Sequence, residues 1–127
     1  MKTMSAEENR FVIPNRPITK KNSQRIVLAG KFPKIVPSAA YTQYEKDAGW
    51  FLKPLGIDSP VNVKCVYFMP TRGKVDLVNL LSATCDILVK YGVITDDNSQ
   101  IVASHDGSVV LYDKANPRVE ITITGAT

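Results

Sequence analysis

Residues 75–101, VDLVNLLSATCDILVKYGVITDDNSQI, decide how this chain is read. Asp76 stands where a helix would start, and an amphipathic pattern runs from there to about Lys90. Leu77, Leu80, Leu81, Thr84, Leu88 and Cys85 form the buried stripe, while Asn79, Ser82, Asp86 and Lys90 line another. Gly92 then turns the chain into a short β-branched strand, Val93-Ile94-Thr95, which ends on the carboxylate pair Asp96-Asp97. A helix followed by a returning strand brings residues twenty apart back to one end of the pair. Acidic groups gathered this way suit a hard divalent cation such as Mg²⁺, which prefers oxygen ligands. Asp86 is excluded from sharing that ion with Asp76: ten helical residues separate them by about 15 Å. Asp86 is expected instead to pair with Lys90 at i,i+4.

Outward from this stretch, the chain has the size of one domain with one core, 127 residues in all. Hydrophobic residues make up 44% and charged residues 22%, a globular balance. Residues 1–9 are polar and expected to be loose. The N-terminus lacks the apolar core of a secretory signal, and apolar runs are too short for a membrane helix, so a cytoplasmic location is expected. Cys65 and Cys85 lack CxxC spacing and read as buried reduced thiols. The one histidine, His105, has no cysteine partners at zinc-ligand spacing. His105-Asp106 lies near no evident nucleophile and reads as structural.

The net charge of +4 is unevenly spread. Residues 1–75 carry thirteen Lys and Arg against five Asp and Glu, and residues 76–127 carry three against seven. Positions 16–34 hold six basic residues and no acid. A basic half beside an acidic half suits a metal-dependent enzyme acting on a polyanion, the cations holding phosphates and the acids a metal ion. A solvated basic face is the competing account. The chain has no GxSxG elbow, P-loop or dinucleotide GxGxxG, which leaves nucleophilic and nucleotide-cofactor chemistry without a motif.

The predicted fold is α+β: a mixed β-sheet packed by two main helices, with a basic N-terminal loop and hairpin, in a single domain spanning 1–127. Arg10–Ile13 is a first strand stopped by Pro14, and 15–23 is a loop. Residues 25–28 and 31–36 flank Ala29-Gly30 as a hairpin whose second arm, with Pro33, is an edge. Ser38 caps a helix over about 39–52, with Ala40, Tyr41, Tyr44, Ala48 and Phe51 on one stripe. Val61–Phe68 becomes apolar on both faces and is expected to be central. Thr71-Arg72-Gly73-Lys74 forms a basic turn, read either as a phosphate contact or as an exposed link. The region 101–112 is extended but interrupted at His105–Ser108, where Asp-Gly fits either a hairpin turn or a bulge. Asp113–Pro117 is a turn, and 118–124 is a final strand with one solvated face.

Asp76-Leu77-x-Asn79-Leu80, Asp86-x-Leu88, Gly92, Asp96-Asp97 and Gln100-Ile101 together resemble the signature of RusA-type Holliday-junction resolvases. The likeness extends to Arg16-Pro17 through Asn22, to Met69-Pro70 and to Val119–Ile123. It implies a homodimeric, Mg²⁺-dependent endonuclease, with Mn²⁺ as a substitute ion, that cuts four-way DNA junctions in pairs and is of a bacterial or phage-encoded type. Catalytic roles fall on Asp76, Asp96 and Asp97, with Asp76 and Asp97 as metal ligands. DNA contacts fall on Arg16, Lys20, Lys21, Asn22, Arg25, Arg72 and Lys74. Two positions depart from the family pattern. Val78 stands where a second aspartate is usual, and Ser82 stands where a lysine is usual. One extra residue also separates Asp97 from Gln100. The alternative is a junction-binding protein that keeps the fold without cleavage.

Overall fold

A computed structural model of the chain describes residues 8–20, 24–30 and 32–126. In order, the chain forms β1 (Glu8–Ile13), β2 (Gln24–Ala29), β3 (Phe32–Pro37), α1 (Ala39–Ala48), β4 (Val61–Met69), α2 (Leu77–Lys90), β5 (Val102–Ser104), β6 (Val109–Tyr112) and β7 (Arg118–Gly125). Strands β2 and β3 pair only with each other, as the hairpin reading required. The remaining five form a mixed sheet. β1 lies against β7 and β7 against β4, both antiparallel, while β5 and β6 both run parallel to β4 along its other edge. The architecture is the α+β mixed sheet with two helices that the sequence predicts.

Period-2 alternation sends one set of strand residues into the core. Phe11 and Ile13 from β1, Val61, Val63, Cys65, Tyr67 and Met69 from β4, and Val119, Ile121 and Ile123 from β7 are all buried. They pack against Tyr41, Tyr44 and Ala48 of α1 and Leu80, Ala83, Ile87 and Leu88 of α2. The opposite face of the sheet keeps Val12, Val109 and Leu111 exposed. Both cysteines are free and buried, and burial pushes each thiol up to about 12, so both stay protonated near neutrality. The buried Tyr67 hydroxyl donates to Thr84 Oγ1 at 2.7 Å, and Thr84 passes a 3.0 Å bond on to Leu80 O. That relay ties the central strand to the middle of α2.

Some local readings change, and one left open is decided. The first helix ends at Ala48 and tightens into a 3-10 turn over Gly49–Phe51. The tighter turn rotates Phe51 off the buried stripe, and Ala40, in the first turn, is also exposed. The 93–95 segment is not a strand: after Gly92 (φ +72°) only Ile94 makes a bridge, to Ile57, and Thr95 N–H donates to Ile57 O. The Asp-Gly interruption is a bulge rather than a hairpin, since β5 and β6 follow the same edge in the same direction. The Asn62 side chain holds it from β4, accepting from Ser104 Oγ and Asp106 N and donating to Asp106 O. Ser108 Oγ accepts from Cys65 N, and His105 Nδ1 lies 2.8 Å from Val63 O, to which it donates. Finally, Lys90 does not pair with Asp86. Its ammonium reaches Glu45 of α1 at 2.7 Å, because the two helix ends converge there.

That convergence is tight. A Cβ at Gly49 would sit 2.5 Å from Tyr91 Cε1, while the Tyr91 hydroxyl is held by Glu45 O at 2.9 Å. Gly49→Ala is expected to lower stability by about 1–3 kcal/mol through overpacking. Urea unfolding would show it as a lower midpoint at unchanged slope.

Candidate active site

The carboxyl ends of β1, β4 and β6 and the start of β7 meet at one end of the sheet, as the pairing registers require. After β4 the chain crosses this end through Thr71–Val75 and enters α2 at Asp76. Asp76 is the N-cap of α2: its Oδ1 accepts from Val78 N at 2.9 Å and Asn79 N at 3.4 Å. The other oxygen, Oδ2, makes no hydrogen bond among the described residues and is exposed to solvent with the rest of the side chain. Val78, on the first turn, is 70% exposed. An apolar side chain that far into water contributes nothing to the core.

Asp96 and Asp97 follow the Ile94 bridge on an exposed turn. Asp96 is spent locally: Oδ1 accepts from Asp97 N at 2.7 Å and Oδ2 from Asn98 Nδ2 at 3.1 Å. The Asp97 carboxylate has no such bond among the described residues. Its charge lies close enough to α2 to act on Cys85 and Asp86. Asp76 and Asp97 share no hydrogen-bond partner, and no three His, Cys, Asp or Glu side chains among the described residues are gathered so as to hold a metal ion. Each of the two is an exposed carboxylate with oxygen unused by described partners, the kind of donor Mg²⁺ takes singly or in pairs with water and substrate phosphate. Asp97 acts on Cys85 and Asp86, nine and ten residues along α2 from Asp76, so the described contacts do not bring the two carboxylates together.

Asp86 has a different neighbourhood from the one its sequence position suggests. Burial raises its pKa, Lys20 opposes that, and Asp97 and Glu45 add to it. The Tyr41 hydroxyl is buried with no hydrogen-bond partner among the described residues, and burial, then Glu45 and Asp86, raise its pKa too. The Lys20 charge thus acts on α2 from the N-terminal loop. Nothing in the helix periodicity could have announced that proximity.

The basic residues sort into two groups around Thr71–Val75. Arg16 and Lys74 line one cleft of about 430 Å³ together with Pro17, Ile18, Thr19 and Met69. Arg72 turns to the other side, its guanidinium 4.2 Å from the centre of the Tyr112 ring. Lys21 and Asn22 lie outside the described residues, as does the side chain of Arg25 on β2. Tyr112 escaped the sequence reading, for an aromatic ending an extended run carries no mark of its neighbour across the sheet. Arg118 is of another kind. Asp113 at 3.0 Å, Glu120 at 2.8 Å and the Phe68 ring at 3.8 Å already occupy it. The Asn116 N–H and Arg118 hold the Asp113 carboxyl below its usual range in return.

A cleft whose cations meet no carboxylate among the described residues, next in sequence to the exposed Asp76 at the carboxyl ends of sheet strands, suits a polyanionic ligand. The family model for the endodeoxyribonuclease RusA matches residues 14–124, from the residue after β1 to the last turns of β7. The chain belongs to that family of nucleases. A curated relative, the "Crossover junction endodeoxyribonuclease RusA" of Aquifex aeolicus (strain VF5), is 29% identical over 96 residues, covering 72% of this chain and 74% of the relative.

The double duty of Asp76 has a measurable consequence. Asp76→Ala removes the cap and is expected to cost about 1 kcal/mol, whereas Asp76→Asn keeps a capping oxygen and stays within roughly 0.5 kcal/mol of the parent. Urea titration of the three proteins reads the difference. At Asp86 the sign is opposite. With its folded pKa raised, its contribution to stability is fully present below the unfolded value and lost as pH rises through the folded one. Asp86→Asn is therefore expected to melt above the parent at pH 7, with the gap closing toward about pH 4.

Proposed function

We propose that this chain is a structure-selective endodeoxyribonuclease that resolves four-way DNA junctions by paired phosphodiester cleavage. The observation that carries the reading is the placement of Arg16 and Lys74 around one cleft, two residues before the Asp76 cap. Membership of the RusA family supports the substrate class. Arg16 and Lys74 bind and orient backbone phosphates, and Lys20 and Arg72 extend the cationic track on either side. Asp76 and Asp97 would hold a divalent cation, Mg²⁺ or Mn²⁺. Such an ion, when bound, polarises the scissile phosphate and lowers the pKa of a water nucleophile. Asp96 would act through the turn rather than as a ligand. Its two oxygens fix the turn, and through the Asp97 N–H they set the direction of the neighbouring carboxylate. The cations near the scissile group stabilise charge as it develops. A four-way junction has two-fold symmetry, so a homodimer would present two such sites to opposed strands.

A second reading is favoured by Val78 and Ser82, both exposed on α2 where the family pattern carries an acid and a base. In it, the protein binds junctions and does not cut them.

The test uses synthetic four-way junctions and matched duplexes with Mg²⁺, with Mn²⁺ and with chelator. We expect paired nicks at the junction with either ion and none with chelator. Asp76→Asn and Asp97→Asn should bind junction within about threefold of the parent and not cleave it. Cleavage by both variants would remove the site assignment, and tight binding without cleavage by the parent under either ion would establish the second reading. Arg16→Ala and Lys74→Ala should each weaken binding and reduce the salt slope by about one. Sedimentation of the free protein reads the dimer.

A further inference from the structure

The turn between β4 and α2 is a ridge with a hollow on each side. Thr71 and Gly73 line both the Arg16–Lys74 cleft and a second groove of about 320 Å³ on the side of β6. The second groove is walled by Thr71, Arg72, Gly73, Val110, Leu111 and Tyr112. Its chemistry differs from that of the first. Here an aromatic ring and aliphatic side chains form the surface, with a single cation at the rim.

Tyr112 and Arg72 are placed there by the register of the sheet. Tyr112 ends β6 opposite Met69, which ends β4, and Asp113 N–H closes the pair by donating to Met69 O at 2.9 Å. The chain leaving Met69 must therefore pass over Tyr112, and Arg72 does so with its guanidinium on the ring. Neither group is consumed by the fold. Tyr112 is 39% exposed, its hydroxyl has no hydrogen bond among the described residues, and Leu111 beside it is 45% exposed. Arg72 is exposed and pairs with no carboxylate among the described residues. Arg118 at the same end of the sheet is the contrast, since two carboxylates and an aromatic ring hold it. An arginine kept against an aromatic plane, with its N–H edge left unneutralised, is suited to a ligand with both a π-face and an anion.

We propose that this groove holds one unpaired nucleotide of the DNA substrate, with its base stacked on the Arg72–Tyr112 column and its phosphate on the guanidinium edge. The inference rests on the nuclease reading above and extends it. A paired base inside duplex DNA has both faces covered by its neighbours and cannot enter such a column; a base at a branch point can. The ridge Thr71–Gly73 would then hold a pair of strands apart, one tracking Arg16 and Lys74 and the other entering the Tyr112 groove. Selection of branched over linear DNA would come from the groove, and general affinity from the cleft, because stacking is insensitive to sequence but needs an open base.

The experiment places 5-iododeoxyuridine at each branch-point position of a synthetic four-way junction, and at the same sequence positions in linear duplex. The parent and Tyr112→Phe, Tyr112→Leu and Arg72→Lys variants are bound in chelator and irradiated. We expect a crosslink to Tyr112 from a branch position and none from the duplex. Tyr112→Leu should lose roughly tenfold in junction affinity with duplex affinity held within twofold, and Tyr112→Phe should keep both. Arg72→Lys keeps the charge and loses the plane, so it should lower junction preference while leaving the salt slope unchanged. Circular dichroism melts confirm that each variant is folded. Junction binding by the parent with no crosslink at Tyr112, and with Tyr112→Leu equal to the parent, overturns this proposal while leaving the nuclease reading in place. A parent that binds junction no better than duplex overturns that reading first, and this one with it.

Discussion

Everything in this molecule depends on both edges of β4 being satisfied. A nine-residue strand buried on one face has a full row of N–H and C=O groups on each side, and buried groups of that kind must be paired. β7 supplies one edge, in register from Val61 to Phe68. The other edge is taken by a parallel partner, and a parallel partner needs a crossover, which is α2. The partner arrives in two pieces, because β5 follows β4 only at Val61–Asn62 before the chain bulges and β6 resumes at Val66. Between the pieces, side chains replace the missing ladder: His105 meets Val63 O, and Ser108 meets Cys65 N. His105 and Ser108 thus serve the edge of a strand, and the histidine has no need of a chemical role.

The same constraint creates the functional end. A crossover from a parallel strand has to leave from its carboxyl end, so the chain must turn there before the helix begins. The turn cannot be buried, since its own backbone needs water, and it carries polar and basic residues. It also delivers the first residue of α2 to that end, where four unpaired backbone N–H groups call for a capping oxygen. Asp76 meets a structural demand before any chemical one. Ridge, clefts and carboxylate are all products of how β4 is closed.

Much of this was legible along the chain because it is written in short-range pattern. The alternation of Val61–Phe68 and Arg118–Thr124, the stripe on α2 and the caps at Ser38 and Asp76 each depend on neighbours within a few positions. What escaped depends on partners far away. Lys90 was matched to Asp86 by helical spacing, but Glu45, remote in sequence, wins because α1 and α2 converge. Asp-Gly left hairpin and bulge undecided, and only the direction of β6 relative to β4 separates them. Val93-Ile94-Thr95 had the composition of a strand and no free edge to join, so it made a single bridge. At the site, the residue types were legible and the associations were not. The Lys20 charge acting on Asp86 and Arg72 lying over Tyr112 both relate segments that no periodicity joins.

Val78 and Ser82, the two departures from the family pattern, bear on the same helix start. A capping carboxylate has two oxygens, and in Asp76 one is committed to the helix. The other lies at the positive end of α2, which favours an anion there. An acid at position 78 would add a second charge at the same end of the helix and would repel the first unless a cation lay between them. Valine at that position avoids the repulsion. Ser82, one turn on, removes a cation from the same surface, so the two changes compensate in charge. Lys20 stands one helical turn further along α2, close enough to act on Asp86. This side of α2 therefore keeps a mixed charge, with a cation supplied from the N-terminal loop instead of from the helix itself. Loop and helix set the charge of that surface together.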